Sequence, residues 1–137
     1  MLLKIDLLSL QDHSYLTGAD NCYFIREYTT EGFAIPDNQL VYNFKCPPNH
    51  TNTGRLYYKK QAIQTANREI REALQTLTTL AETVLIPLPP SKLPTSPDYD
   101  VRVRDSLRES ERILGVRVIE ALSARDQRLA AHEVKSQ

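Results

Sequence analysis

The chain has little of what usually marks a fold or a site by itself. Two cysteines, Cys22 and Cys46, are its only thiols. A disulfide between them would need a secreted setting, and no leader is visible. The start, Met1 to Leu10, is apolar in content but broken by Lys4 and Asp6. It is too short and too charged for a signal h-region or a membrane span. The expectation is a cytoplasmic protein with reduced thiols and no membrane partner.

Net charge is missing too. Seventeen basic residues balance seventeen acidic ones. Nucleic-acid binding rests mainly on neutralising phosphates, so nucleic acid is not an expected partner. Glycine is sparse: Gly18, Gly32, Gly54 and Gly115 stand alone. None belongs to the G-x-S-x-G elbow of a Ser-His-Asp hydrolase. Zinc sites with clear signatures carry two close ligand pairs. Here Cys46 and His50 form one, with Cys22, His13 or His132 as distant additions, so no metal site is expected. His132 sits in a polar stretch and is read as solvated. No internal repeat or low-complexity tract occurs.

What is present is a sequence of short apolar runs around one long periodic segment. At 137 residues the prior is a single domain. Residues 1–54 read as an N-terminal hairpin and loop region, and 55–137 as a helix-strand-helix-strand core. Residues 1–10 are a strand or an amphipathic turn. Cys22 to Tyr28 is rich in aromatic and β-branched residues and predicts a strand. With Thr29 to Gly32 as a turn and Phe33 to Ile35 returning, it predicts a β-hairpin. Asn38 to Lys45 is a short strand or a helical turn, and Cys46 to Gly54 a loop.

From about Tyr58 to Thr83 the pattern is helical. Ile63, Ala66, Ile70, Ala73, Leu77, Leu80 and Val84 recur at spacings of four and three, which makes one stripe. The stripe predicts packing against a sheet, with a coiled coil as the other option. The cluster Arg55 to Lys60 mixes aromatics with cations, as single-strand binders do. It also reads as a polar helix start with Tyr57 and Tyr58 half-buried. Lys59 and Lys60 lie at the unfavourable end of the helix dipole, which points to an anionic neighbour or to solvation.

Val84 to Leu88 predicts a strand, and four prolines (89, 90, 94 and 97) impose a loop after it. Asp98 predicts the N-cap of a helix running to about Leu114, with Val103, Leu107, Ser110 and Leu114 on one face. Gly115 suits the residue after the helix, and Val116 to Ile119 another strand. Strand, helix, strand in this order is a βαβ unit with parallel pairing. The tail from Ser123 to Gln137 is a weak helix. The expected fold is therefore α/β, a mainly parallel sheet with flanking helices in two or three layers.

Chemistry concentrates just past the Val84–Leu88 run. Ser91 and Lys92 supply a hydroxyl and an ammonium; Tyr99, Asp100, Arg102 and Arg104 come next, at a helix start whose dipole favours anions. Lys92 and Arg102 suit a phosphate or pyrophosphate, unless the stretch is a proline-rich connector with solvated charges.

The run Leu85 to Lys92, followed by Pro97 to Arg102, resembles bacterial proteins related to type I phosphoribosyltransferases. The Tyr23–Tyr28 and Asn38–Lys45 segments, the long helix and Ala130-Ala-His-Glu133 resemble that group as well. The resemblance implies a Rossmann-like fold in which Ser91 and Lys92 line the diphosphate side, with Arg102 near. It implies a phosphate-containing small molecule as ligand. The family's second half is not found: no two acidic residues are adjacent, and no Gly/Thr loop follows a strand. The chain thus resembles the N-terminal portion only. No catalytic residue is assigned, phosphoribosyl transfer is not expected of this chain alone, and Mg2+ would enter only if the other half were supplied. The alternative from another class is a non-catalytic interaction module, completed by a second copy or a partner chain at an open sheet edge or along the long helix.

Overall fold

The computed structural model describes residues 2–6, 14–77 and 79–126. The elements are β1 (Leu3–Lys4), β2 (Tyr23–Phe24), α1 (Pro36–Phe44), α2 (Thr53–Leu77), a 3-10 turn (Leu80–Glu82), β3 (Val84–Leu85), α3 (Arg102–Leu114) and β4 (Arg117–Val118). This corrects the expected fold class. The architecture is mostly helical, with two small two-stranded sheets among the described residues, one antiparallel and one parallel. It is not an α/β fold built on a mainly parallel sheet.

Proline explains part of the difference. Beyond Leu85 the chain reads Ile86-Pro-Leu-Pro-Pro, and each proline removes a donor that a ladder would need. The parallel pairing itself is present: Val84 faces Arg117 and Leu85 faces Val118, and the Ile119 N–H donates to the Leu85 carbonyl at 2.9 Å. The βαβ connection through α3 therefore exists, at two residues per strand.

The N-terminal hairpin is also corrected. Tyr23 and Phe24 pair antiparallel with Lys4 and Leu3, not with Phe33 to Ile35. The turn that should have joined the strands is held elsewhere. Asn38, in the first turn of α1 and 4% exposed, accepts from the Thr29 N–H (3.0 Å). Its amide donates to the carbonyls of Thr29 (2.9 Å) and Gly32 (2.8 Å). Gly32 has φ +105°, a left-handed conformation that glycine adopts readily. Pro36 opens α1 with its φ already helical, and the 38–44 segment is a helix rather than a strand, with Lys45 as its C-cap.

Arg26 closes this region. Its guanidinium grips Glu69 of α2 at two points, one of them 2.9 Å, and Asp37 of α1 with a second edge. The hydrogen bonds to Glu69, ahead of the charge of Asp37, push the Arg26 pKa further up, so it stays protonated at any ordinary pH.

Helix α2 starts at Thr53, earlier than the periodicity implied. Asn52 Oδ1 accepts from the Arg55 N–H (3.2 Å) in the manner of an N-cap. The helix packs against α1 on one side and α3 on another, so its neighbours are helices and not a sheet. The stripe residues Ile63, Ala66, Ile70 and Ala73 are half-buried, whereas Lys59, Ala62 and Asn67 are buried.

Helices α2 and α3 pack together, and the buried positions of α3 include small side chains: Ser106 (2% exposed) and Ser110 (0%) lie one turn apart, with Leu107 beside them. Asn67 donates weakly to the Asp105 carbonyl (3.4 Å), and Arg71 pairs with Glu109 (3.1 Å) one turn further on. Ser110 Oγ has no hydrogen-bond partner among the described residues. Ser110→Ala should therefore stabilise the protein by about 1 kcal/mol, because it removes an unpaired buried hydroxyl. Ser110→Leu should instead wedge the helices apart and cost about 3 kcal/mol. Urea denaturation of the two variants checks both signs.

Helix α3 ends as expected. Gly115 has φ +69°, and its N–H donates to the Glu111 carbonyl at 3.1 Å. Its start differs: the helix begins at Arg102, not after an Asp98 cap. Asp98 instead accepts from Asn49 (3.0 Å), and Asp100 Oδ1 takes the Arg102 N–H (3.1 Å). Among the described residues no helix is long and apolar enough to cross a membrane. Of the weak helix expected over Ser123–Gln137, residues 123–126 are described and are not helical. Residues 127–137, with Ala130–Glu133 and His132, lie outside the described residues, as do residues 7–10 of the expected first strand or turn and His13.

Candidate functional site

The proline-rich segment after β3, the loop after α1 and the first turn of α3 meet around a cleft of about 520 Å3. Proline makes the first wall rigid: Pro87 is buried, while Pro89 and Pro90 hold the chain extended past the sheet. The three residues expected to bind an anion, Ser91, Lys92 and Arg102, all line this cleft. Lys45, at the end of α1, joins them from the opposite wall. Lys45 and Lys92 have no ion pair among the described residues, so their ammonium groups are available. Ser91 is exposed.

Under the cleft lies a charged cluster that sets its shape. Lys59 is 7% exposed, and its ammonium donates to Asp100 Oδ2 (2.7 Å) and to the carbonyls of Cys46 (2.6 Å) and Phe44 (3.2 Å). All three ammonium protons are thereby used. Asp100 also receives Arg102, at 2.8 Å from one guanidinium nitrogen to Oδ2. The Arg102 guanidinium lies 5.7 Å from the centre of the Phe44 ring. Two cations share one carboxylate, which leaves this cluster one positive charge in excess. Asp100 holds one guanidinium nitrogen of Arg102, which lines the cleft.

Lys59 therefore has the anionic neighbour its place at the helix start suggested, and it is buried, not solvated. Tyr57 (59% exposed) and Tyr58 (56%) are exposed, not half-buried. They pack edge to face on each other with ring centres 5.6 Å apart. Arg55 lies 3.9 Å over the Tyr42 ring, so the aromatic–cation cluster is spent partly on contacts within the chain.

A second cavity of about 200 Å3 opens on the other side of the proline ridge. It shares Leu88, Pro89, Pro90, Lys92, Asp100 and Val103 with the first. Arg104 lines it and pairs with Glu120 (3.4 Å) and Asp105 (3.6 Å), so Arg104 serves this wall and not the cationic cleft.

Two site residues escaped the reading of the sequence. Lys45 carried no signal, being a lone lysine in a stretch of uncertain structure. Lys59 carried a faint one, a cation at the wrong end of a helix. Elsewhere, Cys46 is buried with its thiol directed at the Pro47 carbonyl (3.7 Å), and His50 Nδ1 accepts from the Asn52 N–H (3.0 Å). Cys22 and Cys46 are both free thiols. Among the described residues no group of three His, Cys, Asp or Glu could hold a metal ion.

No family model, curated protein or solved structure matches the chain. The resemblance to phosphoribosyltransferases rests on the residue pattern alone.

Proposed function

We propose that the chain is a non-catalytic binding domain that takes a phosphate-containing small anion in the cleft lined by Lys45, Ser91, Lys92 and Arg102. The observation that carries this is convergence: the end of α1, the proline-rich segment and the start of α3 each bring a cation to one cavity. Supporting it, the positive end of the α3 dipole opens nearby, and Arg102 is oriented by Asp100 with Lys59 behind it. The likeness to the diphosphate loop of phosphoribosyltransferases points to the same ligand chemistry. The compartment proposed is the cytoplasm.

Pyrophosphate at ten times its dissociation constant should add about 1.4 kcal/mol. That raises the melting temperature by about 4 °C. Lys92→Ala should abolish the shift without changing the melting temperature of the free protein, since Lys92 has no ion pair among the described residues. An unchanged melting temperature in wild type at millimolar pyrophosphate would refute the proposal.

A second reading is favoured by one feature. Val84 (44% exposed), Ile86 (50%) and Leu88 (70%) alternate along one side of the β3 segment. An apolar edge of this kind suits association with a second copy or a partner chain. Light scattering on the same samples separates the two: an oligomer indifferent to pyrophosphate supports association and not anion binding.

A further inference from the structure

The second cavity adjoins the cationic cleft across the ridge of Pro89 and Pro90, and Lys92 lines both. We infer that the ligand is a phosphomonoester of a largely apolar alcohol, with its phosphate at Lys45, Lys92 and Arg102 and its body in the smaller cavity. The inference rests on the anion-binding proposal and adds the chemical class of the rest of the ligand.

Three observations on the smaller cavity support it. Its walls are mainly prolyl and aliphatic, with Pro87, Leu88, Val101, Val103 and Leu122 among them. Most of its charged members are engaged: Asp100 by Lys59 and Arg102, and Arg104 with Glu120 and Asp105, while Lys92 is the cation it shares with the cleft. Few free donors or acceptors remain to recognise a sugar's hydroxyls, chiefly Tyr99, Ser123 and the Nε of Arg104, which has no hydrogen-bond partner among the described residues. Leu88 (70% exposed) and Leu122 (51%) project on this side, and a bound apolar group would cover them. The volume, about 200 Å3, accommodates a ring or a short branched chain and little more.

Phosphate alone satisfies the cations, so an apolar ester should bind more tightly by the area its body buries. Thermal shift titrations with inorganic phosphate, phenyl phosphate and ribose 5-phosphate test this on the intact chain. Phenyl phosphate should reach its half-maximal shift at about tenfold lower concentration than phosphate. Ribose 5-phosphate should resemble phosphate. Leu122→Ser, at an exposed loop position, should remove the advantage of the phenyl ester while leaving the phosphate response, and circular dichroism should show its helix content unchanged. Equal potency of phenyl phosphate and phosphate, a preference for ribose 5-phosphate, or an advantage that survives Leu122→Ser would each overturn the inference and leave the anion site standing. Failure of all three compounds to stabilise the wild type would overturn the anion site as well.

Discussion

Lys59→Met should be among the most damaging single substitutions in this protein, at about 3 kcal/mol or more. The Lys59 side chain is 9% exposed and that of Asp100 11%. Methionine fills the space of the lysine stem but leaves the Phe44 and Cys46 carbonyls and the Asp100 carboxylate without their shared donor. Removing one partner of a buried pair leaves the other's desolvation uncompensated, and that exceeds the Coulombic attraction lost. For a chain of this size the melting temperature should fall by roughly 10 °C. The companion Asp100→Asn should cost less, since its amide oxygen still accepts from Lys59 and the two carbonyls still hold the ammonium. A double-mutant cycle on urea midpoints gives the coupling between the two. A Lys59→Met loss below about 1 kcal/mol would mean that the ammonium reaches water, as surface pairs do. In whatever fraction of Lys59→Met stays folded, Asp100 keeps Arg102 as its one cation among the described residues, so pyrophosphate should bind more weakly too.

Asn38→Ala should cost about 3 kcal/mol, because three backbone groups lose their partner at a buried position. Asn38→Asp is the sharper experiment. A carboxylate there would still accept from the Thr29 N–H but would face the Thr29 and Gly32 carbonyls with like partial charge. The protonated acid can donate to one of them. The folded state therefore favours the protonated form, and the introduced group should titrate above the ordinary aspartate range. By linkage, the variant is at its best below the unfolded-state pKa and loses stability as pH rises through the raised folded-state value. Urea midpoints at pH 4 and pH 7 for wild type and variant check this. A variant more stable at pH 7 than at pH 4, relative to wild type, would contradict the arrangement around Asn38.

The two positions explain each other's role in the fold. Asn38 holds the 29–32 loop onto the start of α1, and Lys59 ties the end of α1 to the loop before α3. Between them Arg26 connects α1 and α2. The buried apolar residues among those described are Cys46, Ala62, Pro87, Leu107 and Val116, while the buried polar ones include Asn38, Lys59, Asn67, Ser106 and Ser110. A core this polar depends on specific hydrogen bonds more than on apolar area, so single polar substitutions carry unusually large expected effects.

What the residues determined unaided was local. The periodicity from Ile63 onward, the φ that Gly115 permits, the missing N–H groups of Pro89, Pro90, Pro94 and Pro97, and the β-branched run at Val116 each act within a few positions. The long helix, the end of α3 and the irregular loop came from them. The cations of that loop were equally legible, since Ser91, Lys92 and Arg102 lie close in sequence. What surrounds those elements was decided at long range. Whether the apolar side of α2 meets a sheet or two helices depends on which segments collapse onto it. Val84–Leu85 and Arg117–Val118 could not grow into a broad sheet, because no third segment pairs with them among the described residues. Lys59 and Asp100 are 41 positions apart, and Lys45 reaches the cleft from the end of a helix that local pattern left undecided. Their meeting depends on the free energy of the whole packed arrangement, a small difference between large terms that no local window contains.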